Sequence, residues 1–253
     1  MPLTDSGCLF IHIPKCAGTS IEMSLGIADA YPEIGLRPTS TQPDLSHLFG
    51  AGMQHLTVRE IRENFADVLQ DRVRYEFSVV RDPVDRLVSH FVWKEFRFND
   101  AVSFNQSVLD AFLSLVVDVR DFSKSLRAFR HPYEGHTFCE GLGDTLGLND
   151  IRRHLLPQCA FLFDRGGLAV RRLFHIKETK SLEAYLLARG DLKRPLERRM
   201  ANKLSATLRR ALPISVVDEI EDIYAMDVDL LARFGQIDGM RLMVNDSGNT
   251  AGA

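Results

Sequence analysis

The residues with the clearest chemical use stand in two short runs. The first is LFIHI-PKCAGTS-IEMSL, where Pro14, Lys15, Cys16, Ala17, Gly18, Thr19 and Ser20 link an apolar strand to the start of a helix. Gly18 lets the backbone approach a ligand, Thr19 and Ser20 bring hydroxyls, and Lys15 brings a full positive charge. A helix start adds N–H groups that have no partner within the helix. Such a loop can cradle phosphate or sulfate. The second run is YEFSVV-RDP-VDRLVSHFVWKEF. Its strand ends in Arg81, a permanently charged fork suited to an oxyanion, and Arg86 and Ser89 follow on the next helix. These residues read as a second anion pocket. Each run also has a plainer reading. The first fits a βα turn with a surface lysine, and the second fits an arginine paired internally beside an ordinary helix serine.

Neither run is a nucleotide-hydrolysing motif. A Walker A loop places its lysine after the second glycine, whereas here Lys15 precedes Gly18. A phosphatase loop of the C-x5-R type is excluded, because Glu22 stands where its arginine would be. The second strand ends in Arg81 rather than in a magnesium-binding carboxylate. Asp82, ahead of Pro83, is better used as a helix cap. Cys16 reads as a small filler of the loop.

The elements that must position these residues follow from periodicity. Leu9 to Ile13 and Tyr75 to Val80 read as short buried strands, with a helix opening at Ser20. Thr57 to Leu69 has helical spacing, and Thr57 with Glu60 forms a T-x-x-E capping box. A helix is expected after Pro83, with Leu87, Val88, Phe91 and Val92 as its buried stripe. Residues 31–50 read as an irregular excursion, and 101–156 as mostly helical. Cys159 to Phe163 and Val170 to Ile176 read as two strands joined by a DRGG turn. Val216 to Phe234 reads as one amphipathic helix. Strands alternating with helices predict an α/β fold: three layers, P-loop-like, with a short, mainly parallel sheet flanked by helices. Ligands of such folds sit at the carboxyl ends of strands, which is where both runs lie. One domain is expected over residues 1–244, with a disordered tail over 245–253.

Composition narrows the partners. The chain has 253 residues, with 31 Lys and Arg against 34 Asp and Glu, a formal net charge of -3. That balance argues against nucleic acid as a partner, so an anion must be held by a local cluster of cations. The basic stretch from Lys193 to Arg210 reads mainly as a solvated face. No apolar run reaches the roughly 18 residues of a membrane span. Cys8, Cys16, Cys139 and Cys159 include no C-x-x-C pair, so reduced thiols and a cytoplasmic location are expected. His131, His136 and Cys139 have metal-like spacing but lack a fourth ligand, so no metal site is expected. His12 and His90 read as structural.

Together the two runs resemble the PAPS-dependent sulfotransferases, in particular the branch of the heparan sulfate 2-O-sulfotransferases and their bacterial relatives. PKCAGTS is similar to that family's 5′-phosphosulfate loop, and VVRDPVDRLVSHF to its 3′-phosphate motif. The departure is Cys16, where the family usually has threonine. The resemblance implies PAPS as donor, PAP as product and no required metal. It places Pro14, Lys15, Cys16, Ala17, Gly18, Thr19 and Ser20 around the 5′ group, and Arg81 and Ser89 on the 3′-phosphate. RMANKLS is similar to a late basic loop of the family, which adds Arg199 and Lys203. The family's histidine base corresponds to His55, where an imidazole near its ordinary pKa of about 6.5 can take an alcohol proton. Lys15 would stabilise charge on the leaving phosphate oxygen. The implied acceptor is a hydroxylated molecule, a carbohydrate or other small alcohol. Two other readings remain open: a magnesium-dependent nucleotide kinase with a degenerate loop, and a non-catalytic anion-binding module.

Overall fold

The computed structural model describes residues 3–27, 54–96, 102–126, 150–164, 167–196 and 203–236. In chain order its elements are β1 (Cys8–Ile11), α1 (Gly18–Ser24), α2 (Val58–Asn64), α3 (Ala66–Arg72), β2 (Tyr75–Val80), α4 (Pro83–Phe96), α5 (Gln106–Ser125), α6 (Asp150–Arg153), α7 (Gln158–Leu162), β3 (Phe163–Asp164), β4 (Gly167–Leu168), β5 (Arg172–His175), α8 (Thr179–Leu187), α9 (Lys203–Ala211), α10 (Ile214–Ile223) and α11 (Ala225–Gln236). β1, β2 and β5 form a parallel sheet with β2 in the middle, and Phe10 lies opposite Phe77 and Ser78 opposite Leu173.

Alternation along these strands builds three layers. Cys8, Phe10, Phe77, Val79 and Phe174 pack with Ile21 and Leu25 of the α1 region and with Leu182 and Leu186 of α8. Leu9, Ile11, Val80 and Leu173 face the other way, onto Val58 and Ile61 of α2, Phe161 of α7 and Met226 of α11. The strands read as continuous apolar runs because both faces are covered. A further apolar cluster joins α4, α5, α9 and α10. Among the described residues no helix is long and apolar enough to cross a membrane.

The helix start after β2 is as expected. Asp82 Oδ1 accepts from the Asp85 amide at 2.8 Å, and Pro83 opens the helix. So is the capping box: Glu60 N donates to Thr57 Oγ1, and Thr57 N donates to Glu60 Oε2. Other expectations need correction. The first strand ends at Ile11 rather than Ile13, and the first helix starts at Gly18 rather than Ser20. The helix expected over Thr57 to Leu69 leaves helical geometry at Phe65 (φ −133°, ψ 25°), whose ring is buried. That expected over Val216 to Phe234 breaks at Tyr224, whose hydroxyl donates to the Leu155 carbonyl at 2.8 Å.

Most of the strand expected over Cys159 to Phe163 is the helix α7. A short apolar run fits either state, and here Pro157 and a remote carboxylate decide it. Asp227 accepts from the Gln158 and Cys159 amides at 2.8 and 3.0 Å, capping α7 from α11. The DRGG segment lies between β3 and β4, a separate antiparallel pair, and does not lead into β5. The expected excursion at 31–50, the segment His131 to Cys139 and the tail from 245 lie outside the described residues.

Candidate active site

Beyond β1 the chain makes a tight turn whose strain is visible in two side-chain-bearing residues. Lys15 (φ 67°) and Ala17 (φ 65°) both adopt the left-handed region, which is uncommon outside glycine. Gly18 has a different reason to be glycine. A Cβ there would sit 1.8 Å from His12 Nε2, so the loop can close only over a residue with no side chain. Ala17 offers no side-chain cap to α1. The amides of Gly18, Thr19 and Ser20 have no acceptor among the described residues. Thr19 is exposed and Ser20 half-buried. Cys16 is buried. Its thiol donates to Gln158 Oε1, and burial pushes its pKa up to about 12, so it is an inert filler rather than a nucleophile.

Lys15 and Arg81 come together. Arg81 Nη1 donates to the Lys15 carbonyl at 3.2 Å. Burial, and then the Arg81 charge, lower the Lys15 ammonium to about 8. Among the described residues no carboxylate pairs with either cation. Two adjacent, uncompensated cations at the tips of neighbouring strands form a site that an anion would relax.

One side chain holds these tips in register. Gln158 Oε1 accepts from the Arg81 amide at 2.8 Å, and Gln158 Nε2 donates to the Arg81 carbonyl at 2.7 Å. The same Oε1 takes the Cys16 thiol, and Asp227 in turn anchors Gln158. Gln158 and Asp227 escape a reading by motif, because each lies far along the chain from the loop it holds.

Arg86 does not belong to an anion pocket. It is 2% exposed and donates to the carbonyls of His154 at 3.0 Å and Leu156 at 2.7 Å, with Tyr224 beneath its guanidinium. Its fork ties α4 to the chain between α6 and α7. Ser89 is half-buried on α4. Lys203 is exposed at the start of α9, which packs on α4, and Arg199 lies outside the described residues.

His55 is buried just ahead of α2, and its Nδ1 meets the His12 carbonyl at 3.1 Å. A carbonyl can only accept, so Nδ1 carries the proton and Nε2 the lone pair. Burial, then His12 and His154, hold its pKa well below the ordinary 6.5, so the ring is neutral across the physiological range. This replaces the expected value near 6.5. Arg153 fixes the same corner by a two-pronged bond to Glu60 (2.8 and 2.9 Å) and by a contact to the His55 carbonyl. His55 belongs to a row of rings: His12 at 4.5 Å, His154 at 4.9 Å, and His90 beyond, 5.3 Å from His154. His12 donates Nδ1–H to Glu22 at 2.8 Å. Trp93 stacks on His154 at 4.9 Å and carries the Lys15 ammonium 4.8 Å from its ring centre. The row thus reaches from His55 to Lys15. A cavity of about 410 Å3 lies beside it between α4, α5 and α6, lined by His90, Lys94, Asp118, Phe122 and Arg152 among others.

Fold and site together define an α/β protein with a strand–loop–helix turn that carries Lys15 at one strand tip and Arg81 at the next. Residues 4–232 match the model of the sulfotransferase family, and the chain belongs to that family. No curated protein and no solved structure matches the chain.

Proposed function

We propose that this protein transfers a sulfuryl group from PAPS to a hydroxyl of a carbohydrate or other small alcohol, and that residues 1–244 form one domain for the purpose. The observation that carries the reading is the Lys15–Arg81 pair, two cations joined at neighbouring strand tips with no carboxylate to neutralise them among the described residues. A donor with phosphosulfate at one end and phosphate at the other is an anion of matching form. On this reading Lys15, the Cys16 and Ala17 backbone, the Gly18, Thr19 and Ser20 amides and both hydroxyls hold the 5′ group beside Pro14. Arg81, Ser89 and the cations Arg199 and Lys203 hold the 3′-phosphate.

Bound PAPS supplies the sulfuryl group and departs as PAP. His55 Nε2 takes the acceptor proton as the acceptor oxygen bonds to sulfur and the sulfur–phosphate oxygen bond breaks. Lys15 offsets the charge left on that phosphate oxygen. No residue in this scheme requires a metal. The cavity beside His90 combines carboxylates, cations and an aromatic ring, which suits a hydroxylated ring.

The test is thermal stabilisation by PAP or by ATP, each in EDTA and in magnesium, followed by a screen of hydroxylated acceptors with labelled PAPS. The expected result is stabilisation by PAP in EDTA and label transfer to an alcohol. Magnesium-dependent stabilisation by ATP alone would replace the reading with a nucleotide kinase. Binding of PAP with no transfer to any acceptor would leave an anion-binding module.

A further inference from the structure

Trp93 is the chain's one tryptophan, and its ring meets Lys15 and His154, with the His90 ring further off at 6.1 Å. The Lys15 ammonium stands 4.8 Å from its centre, within cation–π range. His154 stacks against it at 4.9 Å with 28° between the planes. His154 is itself held from two sides. Its carbonyl accepts from Arg86, and its Nδ1 meets His90 Nδ1 at 3.2 Å. Burial holds His90 at about 3 and His154 at about 2, so both rings are neutral. Two neutral imidazoles can share an Nδ1–Nδ1 bond only as opposite tautomers, one donating and one accepting. A neutral pair can stand beside an ammonium; a protonated one would repel it.

We propose that Trp93 is a positioning residue for Lys15: its indole face, braced by His154 and through it by His90, holds the ammonium at the mouth of the anion loop. The lysine backbone is set by its left-handed turn, but its side chain carries four rotatable bonds. The indole removes that freedom without neutralising the charge, as a carboxylate would. The inference rests on the sulfuryl-transfer reading for its purpose, not for its geometry.

The single indole also reports on the contact. The charged and titratable groups around the Lys15–Trp93 contact are Arg81 from the end of β2, Cys16 on the lysine's own loop, Arg86, His90 and Lys94 on α4, His154 after α6, and His12 beyond β1. Burial pushes the Cys16 thiol up to about 12 and holds His90 and His154 far below neutrality. Lys15 is the one of these groups that lies over the indole face, and the Lys15→Met variant separates its proton from every other titration near the ring.

The experiment is a fluorescence titration of the full chain between pH 6.5 and 9.5, with Lys15→Met alongside. It expects an emission step centred near pH 8 that Lys15→Met removes. Isothermal titration with PAP then compares Trp93→Leu with Trp93→Phe. Leucine should weaken PAP binding by about tenfold, and phenylalanine, which keeps an aromatic face, should recover most of that loss. A step that persists in Lys15→Met, or the absence of any step, overturns the proposal. So does equal weakening by leucine and phenylalanine, which marks a merely structural ring. The step needs no ligand. If the wild-type chain shows it but is not stabilised by PAP, the donor reading fails and the Lys15–Trp93 contact stands.

Discussion

At the scale of single residues, electrostatics sets a pH range for the site. His55 must be neutral to accept a proton, and its pKa is held well below 6.5. Lys15 must be charged, and it loses its proton near 8. The profile of kcat/KM, which reports the free enzyme, should fall as pH drops through the depressed His55 value and again as pH rises through about 8. An acid limb at 6.5 or above would mean that His55 is not the base. Gly18 offers a test of packing. Alanine there drives its Cβ into the His12 ring, which is pinned by Glu22. Gly18→Ala should cost about 1–3 kcal/mol of stability, read as a lower urea midpoint. An unchanged midpoint would mean that the ring moves aside at no cost. Lys15, Gly18 and Arg81 could be picked from the sequence because their neighbours form short local patterns, and His55 through the family resemblance alone. Trp93, His154 and Glu22 could not, since each matters through a ring or carboxylate distant in the chain. Arg86 was misleading because its spacing toward Ser89 says nothing about which way its guanidinium turns.

At the scale of elements, period and capping made β2, the start of α4 and the Thr57–Glu60 box legible. The breaks at Phe65 and Tyr224 were hidden, because a helical apolar pattern continues through both and tertiary packing decides where the helix stops. α7 was hidden for the related reason that its N-terminal amides are capped from α11. This arrangement makes α7 the keystone between β1 and β2. Gln158→Leu should strand both backbone groups of Arg81 and the Cys16 thiol at once. Its expected cost is about 3 kcal/mol, seen as a fall in the denaturation midpoint, together with weaker PAP binding. Normal PAP affinity in that variant would show that the two tips keep their places without the clamp.

At the scale of the molecule, three layers converge on one edge. The sheet supplies the two cationic tips, one helical layer supplies the clamp, and the helical cluster beyond supplies Trp93. The family match covers residues 4–232, a range that includes the sheet and the candidate site. Gln158 has a consequence for selectivity under the proposed function. One amide grips Arg81 by its backbone and touches the turn that carries Lys15, so the two strand tips that bear the charges keep one separation. The site behaves as a calliper locked at one opening. Adenosine nucleotides would be sorted by the span between their terminal anionic groups, with little regard for total charge, and one whose phosphates all crowd at a single end would leave one jaw empty.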